Sequence, residues 1–389
     1  MDFQNTSEQE AFRQELRGWL AAHLPRELCV DDPTDERVAP DRPTFEKRVA
    51  WQRIMCKAGW VGISWPREFG GRGATLMEQL IYDEECFRAR APVLPGYSGI
   101  GMIGPTLIEV GTHAQKARFV PRILTAEDIW CQGFSEPGAG SDLAGLQTRA
   151  VDKGDHFLVN GQKVWTSGAQ FADWIYLLVR TDPAAPKHKG ISYLLVDMKT
   201  PGITVRPLVL MNGHRHFNEV FFVDVAVPKE NLVGKVNQGW GVAMTTLAYE
   251  RGTVAKLHTG TRGKIAQLID DARTTPLGDG RMATDDPVLR EKLAAVYLDG
   301  ELLKLISDRA LSAELHGRAM GPEGSIAKLL WSETEQHVAE LASDVLGPDA
   351  LSGRWARDRV YSRALTIAGG TTQVNKNILA QRMLGLPRA

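Results

Sequence analysis

Apolar residues recur at three- and four-residue steps through the first third of the chain. "FEKRVAWQRIMCKAG" (residues 45–59) and "LMEQLIYDEECFRAR" (76–90) each put their apolar positions on one face, the period of an amphipathic helix. "WPREFGGRG" between them has the Gly and Pro content of a loop. At the start, Ser7 with Glu10 fits a capping box ahead of Phe12, Leu16 and Leu20 at helical spacing. From residue 131 to about 235 the period shortens. "HFLVNGQKVWTSG", "WIYLLVRTD", "GISYLLVDM", "GITVRPLVL" and "EVFFVDVAVP" are short apolar or alternating runs rich in β-branched and aromatic residues, punctuated by Asn-Gly, Pro-Gly and Asp-Pro. That pattern predicts an antiparallel β domain. From about 236 the helical period returns in "WGVAMTTLAYERGTVAKLHTGTRGKIAQLIDDAR", "DPVLREKLAAVYLDGELLKLISDRALSAEL", "EGSIAKLLWSETEQHVAELASDVL" and "TTQVNKNILAQRML". Four long amphipathic helices with short loops predict a bundle. The expected class is α+β, mostly α: a helical domain at 1–130, a β domain at 131–235 and a four-helix bundle at 236–389.

Composition narrows the function classes. The 389 residues are 43% hydrophobic and 24% charged, with a formal net charge of -1. Nothing in that balance attracts nucleic acid or an anionic membrane. The cluster Arg354, Arg357, Arg359 reads as a solvated face. No apolar run is long enough to span a bilayer, and the N-terminus lacks the apolar core of a signal peptide. Four cysteines without CxxC or metal-like spacing fit a reduced, cytoplasmic protein without a metal site.

Two glycine-rich stretches compete as cofactor sites. "GIGMIG", residues 99–104, matches GxGxxG, but a loop precedes it and the surroundings are helical, so the βαβ context of a dinucleotide site is missing. Helix packing through small residues explains it better. "GFSEPGAGSD", residues 133–142, stands at the mouth of the β domain. Pro137, Gly138, Ala139 and Gly140 leave the backbone uncovered, so its N–H groups can face an anion, with Ser141 adding a hydroxyl. A surface hairpin would have the same composition. Some twenty residues on, "NGQKVWTSG" places Trp165, Thr166 and Ser167 on a strand. An indole face beside small hydroxyls suits a flat aromatic cofactor, although Trp165 also fits as a core aromatic.

Together with "NEVFFVDVAVPKENLVG", "NQGW" and the closing "AGGTTQVNKNILAQRMLGLPR", these motifs stand in the order of a known family. The chain resembles the acyl-CoA dehydrogenases over essentially its whole length. The resemblance implies FAD held between the β domain and the bundle. Phe134 and Ser135 then lie along the flavin, with Ser135 near its pyrimidine side. Trp165, Thr166 and Ser167 cover the dimethylbenzene side and N5. Gly140 and Ser141 lie near the pyrophosphate or the thioester arm of the substrate. Thr371 and Gln373 match contacts to the adenosine half, and Gly347 matches a position in the subunit-crossing part of the FAD site. The implied partners are an acyl-CoA, an electron-transfer flavoprotein, and further subunits in a homo-oligomer (dimer or tetramer) or a hetero-oligomer.

Dehydrogenation removes a proton from Cα and a hydride from Cβ, so a carboxylate must reach Cα and donors must face the thioester oxygen. In many relatives the base is a Glu where this chain has Gly369, next to an aromatic where it has Ala368. That segment, "TIAGGTTQV", retains no carboxylate. In the isovaleryl and long-chain branches the Glu comes from a bundle helix, just before an Arg. "LAYERGTVAK" places Glu250 and Arg251 there. By periodicity alone Glu250 is an ordinary surface residue; with the resemblance it is the expected base. The main-chain N–H of Gly369 is the expected oxyanion donor. Arg251, Ala368, Gly369, Gly370 and Ser141 line the expected substrate site, and the small residues at 368 and 369 widen it for a bulky, branched or cyclic acyl chain. The family's Arg-x-x-Phe-Gly pattern is not found, and "LGPDAL" replaces a Gly-Gly pair. Alternatives within the fold are an acyl-CoA oxidase, a flavin monooxygenase, or one subunit of a heteromeric dehydrogenase.

Overall fold

The structure is a computed structural model that describes residues 5–30, 39–251, 257–278, 280–317 and 321–387. The side chains of Glu250 and Arg251 lie outside the described residues. The described residues form two compact units, one made of those within Asn5–Leu210 and His214–Glu250, the other of those from Arg251 onward with Met211–Gly213. Among the described residues are a helical N-terminal part, a middle sheet and a helical C-terminal part, as the periodicities predict.

In the first unit, α1 (Ser7–His23), α2 (Arg42–Lys57), α3 (Leu76–Arg88), α4 (Gly104–Val110) and α5 (His113–Leu124) follow the apolar steps. The cap of α1 sits one residue earlier than Ser7. Thr6 accepts from the Gln9 amide at 3.3 Å, and Gln9 Oε1 accepts from the Thr6 amide at 3.0 Å. Glu10 instead accepts from Gln14 at 2.6 Å. "GIGMIG" is indeed packing: Gly99–Ile103 is a π-helical turn leading into α4. A Cβ on Gly99 would lie 2.8 Å from Ile123 Cγ2, and one on Gly104 would lie 2.3 Å from Trp65 Cζ2.

The sheet contains β1 (Trp130–Gly133), β2 (Arg149–Asp152), β3 (His156–Lys163), β4 (Trp174–Arg180), β5 (Ile191–Asp197), β6 (Ile203–Pro207), β7 (Asn218–Pro228) and β8 (Leu232–Val233). Its order is β6-β7-β3-β2-β4-β5-β8, with β1 paired to β4. Most pairings are antiparallel, as the turn signals imply; β1 and β2 each meet β4 in parallel. Strand β4 is buried along its whole length. Its Trp174, Tyr176 and Leu178 pack with the helices, while Ile175, Leu177 and Val179 join the core on the other face. The period of two thus serves two cores from one strand.

Helix α6 (Gly239–Arg251) closes the first unit, which ends at Glu250. The second holds α7 (Leu257–Thr274), α8 (Pro287–Leu315), α9 (Glu323–Leu346), α10 (Gly353–Leu365) and α11 (Thr372–Arg382). The single helix expected over 240–273 is therefore two, with residues 252–256 outside the described ones. Helix α10 is an element the apolar pattern does not reveal. Only Trp355, Asp358 and Ser362 are buried along it. Its arginines are not simply solvated: Arg359 reaches Ser343 at 3.0 Å and Arg363 reaches Glu340 at 2.5 Å. Trp355, Leu268, Val296, Val338 and Leu341 share the core of this unit. Among the described residues no helix is long and apolar enough to cross a membrane.

Glu85, buried on α3, accepts from Arg13, Arg17 and Arg88 at 2.8–3.0 Å. Burial alone would raise its pKa, but the three guanidiniums outweigh it and lower the carboxyl from 4.5 to about 2. A lowered folded pKa gives stability that is present above the unfolded value and lost as pH falls through the folded one. The stability advantage of the wild type over Glu85→Gln is therefore expected to be complete above pH 4.5 and to vanish towards about pH 2, as measured by urea unfolding across pH.

Candidate active site

The first motif begins where β1 leaves the sheet. Gly133 lets β1 lie close to β4; a Cβ there would be 2.7 Å from Ile175 and Leu177. Phe134 follows, buried edge-on against Tyr176 and Tyr193 at ring separations of 5.8 and 6.0 Å. Glu136 and Ala139 exchange backbone hydrogen bonds of 3.1 and 3.0 Å around Pro137 and Gly138. The Glu136 carboxylate orders this loop. It accepts from the amides of Gln147 at 2.6 Å and Thr148 at 2.8 Å, and from Lys163 Nζ at 2.8 Å. Lys163 also donates to the Phe134 carbonyl at 3.0 Å. It is fully buried, and burial pushes its ammonium down to about 8 despite the opposing pull of Glu136. Burial would raise Glu136, but Lys163 and the amide donors hold it below the usual carboxylate range.

The second motif lies beside the first. The Val164 amide donates to the Ser135 carbonyl at 3.0 Å, which brings Phe134 and Ser135 next to Trp165, Thr166 and Ser167. Those three residues are not on a strand. Strand β3 ends at Lys163, and Trp165 adopts φ 61°, which breaks the extended run. Nor is Trp165 a core residue: it is 56% exposed, with Phe217 edge-on at 5.7 Å. Its backbone conformation is uncommon for a non-glycine residue. Asn218 fixes the turn. Its backbone carbonyl accepts from the Thr166 amide at 3.1 Å, and its Nδ2 donates to the Thr166 carbonyl at 2.9 Å. The Thr166 hydroxyl is buried and has no hydrogen-bond partner among the described residues. Gly140 and Ser141 are exposed on the adjoining loop.

Helix α6 carries Glu250 at its penultimate position. Val242 and Ala243 pack in the same core as Phe134 and Tyr193. Thr246 meets Thr106 at 3.0 Å and Tyr193 at 3.2 Å, and Tyr249 donates to Glu109 at 2.9 Å. The backbone beneath Glu250 is thus tied to α4 and β5.

In the second unit, Gly369 and Gly370 have φ of 65° and 95°, the left-handed region that favours glycine. A Cβ on Gly369 would meet open space, so backbone conformation rather than crowding explains glycine there. Ala368 and Gly369 are exposed. The Thr371 hydroxyl caps α11, accepting from the Val374 amide at 3.1 Å, which leaves its proton available for donation. Gln373 is exposed in the first turn of α11. Gly347 caps α9 with φ 57° and ψ -130°, so the backbone itself requires a glycine there. Glu219 accepts from Gln162 at 2.8 Å and serves the sheet. The His214 and His216 rings are 6.0 Å apart, and among the described residues no cluster can hold a metal.

Family models for the N-terminal, middle and C-terminal domains of acyl-CoA dehydrogenases match residues 6–127, 131–225 and 237–384. The chain belongs to the acyl-CoA dehydrogenase family. It is 40% identical to acyl-CoA dehydrogenase IpdE1 of Mycobacterium tuberculosis, across 97% of this chain and 98% of that one. The ChsE4–ChsE5 complex from the same organism contains a chain of similar fold, with a TM-score of 0.83 and 33% identity over 100% of both chains. The Tcur3481–Tcur3483 steroid ACAD gives a TM-score of 0.86 at 30% identity, also over 100% of both.

Members of this family are flavoproteins, and the residues present fit a flavin. The buried, unpartnered hydroxyl of Thr166 offers a hydrogen bond that the protein leaves unused. An exposed indole held in a strained backbone stands beside it. Gly138 and Gly140 have no positive φ, and a Cβ added at either would find no neighbour within 4 Å. Neither turn geometry nor internal packing therefore calls for glycine at those two positions.

Sequence reasoning missed Lys163, whose side chain ties the two motifs together. Removing one partner of a buried ion pair costs about 3–5 kcal/mol. Lys163→Met is expected to destabilise the protein by that order in urea unfolding and to speed hydrogen exchange at the Gln147 and Thr148 amides. Adding Glu136→Gln should recover part of the loss.

Proposed function

We propose that this chain binds FAD and converts an acyl-CoA thioester to the trans-2-enoyl-CoA, passing electrons to an electron-transfer flavoprotein. The observation that carries the reading is the pairing of the two motifs around an exposed Trp165 and an unpartnered, buried Thr166 hydroxyl. Phe134, Ser135, Trp165, Thr166 and Ser167 would hold the flavin. Gly140 and Ser141 would face the pyrophosphate or the thioester arm. Thr371, Gln373 and Gly347 would serve the remainder of FAD. When bound, FAD supplies the acceptor for the hydride leaving Cβ.

The protein's own task is the proton. Glu250 takes it from Cα, because the C-terminal segment offers no carboxylate. The Gly369 amide donates to the thioester oxygen as enolate charge develops. Arg251 and Gly370 complete the substrate site with Ala368. Small residues at 368 and 369 leave room for a bulky, branched or cyclic acyl chain, such as a sterol-derived or methyl-branched ester. The similarity to a steroid ACAD supports that choice.

We further propose that the chain works as an oligomer. Leu298, Leu302 and Leu305 form an exposed stripe along α8, an area that a second subunit would cover. A homo-oligomer is the first reading, since this chain has both flavin motifs and Glu250. The ChsE4–ChsE5 complex, together with the missing Arg-x-x-Phe-Gly pattern, favours a hetero-oligomer as the second.

Two substitutions test the assignment. Glu250→Gln is expected to retain FAD and to slow flavin reduction by acyl-CoA by roughly 10²- to 10⁴-fold; undiminished reduction removes Glu250 as base. Thr166→Val deletes a hydroxyl that the protein alone leaves unpaired. It is expected to leave the apoprotein as stable or slightly more so, while weakening FAD binding by roughly three- to tenfold, as read by thermal unfolding and FAD titration.

A further inference from the structure

Helix α10 ends at the segment that holds Gly369, and the last carbonyls of the helix are all satisfied. Gln336 Nε2 donates to Ser362 O at 3.2 Å, and the Thr366 hydroxyl donates to Arg363 O at 3.2 Å. Ala364 O accepts from the amides of Ile367 at 3.0 Å and Ala368 at 2.9 Å. Leu365 O accepts from Lys328 Nζ at 2.8 Å. Of these partners, Lys328 alone brings a charge. It reaches across from α9, is only 7% exposed, and has no other acceptor among the described residues.

A buried ammonium whose hydrogen-bond partner is a neutral carbonyl, and which Glu333 attracts without forming an ion pair, is a costly way to cap a helix. A Met would fill similar space without that desolvation. The charge therefore has a use that packing does not explain. The C-terminus of a helix carries roughly half a negative charge, and here it abuts the turn containing Gly369. The far side of that turn is also fixed: the Thr372 amide donates to Thr366 O at 3.0 Å, and Asn375 Nδ2 donates to Gly370 O at 2.8 Å. Between these anchors, the amides of Gly369 and Gly370 have no acceptor among the described residues.

We infer that Lys328 is a positioning residue for the thioester oxygen. Its ammonium fixes the start of the Thr366–Thr371 turn and cancels the negative end of α10 beside the Gly369 amide. The inference rests on the reading that this amide receives the enolate oxygen. Negative charge growing there would otherwise face the negative pole of the helix. Lys328 does not touch substrate; it acts through the turn.

The test compares Lys328→Met, Lys328→Gln and Lys328→Arg, each with FAD content measured. One readout is the limiting rate of flavin reduction by acyl-CoA. The other is the pH at which a bound 3-oxoacyl-CoA ionises to its enolate, followed by near-ultraviolet absorbance. Lys328→Met is expected to slow reduction on the order of 10- to 100-fold, with KM changing less than about threefold, and to raise the ionisation pH. Lys328→Arg should recover most of both, and Lys328→Gln, which keeps a donor without charge, should fall between. Unchanged ionisation in Lys328→Met, an Arg variant no better than Met, or losses that track FAD content alone would overturn the inference. Wild-type protein that no acyl-CoA reduces would overturn the functional reading itself, which separates the two failures.

Discussion

The buried ion pair of Lys163 and Glu136 is the constraint on which the arrangement of the two motif loops depends. The ammonium binds both the Glu136 carboxylate and the Phe134 carbonyl, so one side chain at the end of β3 holds the loop that leaves β1. The carboxylate passes that constraint to Gln147 and Thr148, just before β2. A buried pair contributes little net stability when compared with apolar residues of the same volume. What it supplies here is registry between two loops that lie some twenty residues apart in the chain. The exposed Trp165 and the unused Thr166 hydroxyl are placed by that registry.

The C-terminal segment is governed by a different constraint, the backbone. Two consecutive glycines in left-handed conformations turn the chain between α10 and α11. Neighbouring helices then hold both ends of the turn, through Lys328 and Gln336 on one side and Asn375 on the other. The adjacent glycines are therefore not a flexible break in a helix. They form a fixed turn whose amides at the tip have no acceptor among the described residues. A Glu at 369 would have to adopt φ near 65°, which L residues rarely do, so the backbone disfavours a carboxylate at this position.

Much of this is legible in the sequence because the two periodicities are strong. The alternating runs form β3, β4, β5 and β7. "GIGMIG" reads correctly as packing, because Gly99 and Gly104 face side chains that exclude a Cβ. Helix α10 is illegible because its buried face is made from Trp355, Asp358 and Ser362 rather than from a run of aliphatic residues. Lys163 does carry a signal: it follows the buried Phe157 and Val159 on the inward side of β3, where a lysine needs a partner. Trp165 reads as a strand residue because nothing local announces a positive φ at a tryptophan. Lys328 has no sequence signature, since its role depends on a carbonyl 37 residues away.

If these loops serve a flavin, a bulky acyl-CoA must be able to reduce it. The direct measurement is anaerobic titration of the FAD-loaded protein with a ring-bearing CoA ester and with butyryl-CoA, following flavin absorbance and the 2-enoyl product. The predicted result is stoichiometric bleaching by the ring-bearing ester, faster than by butyryl-CoA and without oxygen. Bleaching by butyryl-CoA faster than by any branched or ring-bearing ester would contradict the substrate reading, and no bleaching by any ester would contradict the central claim.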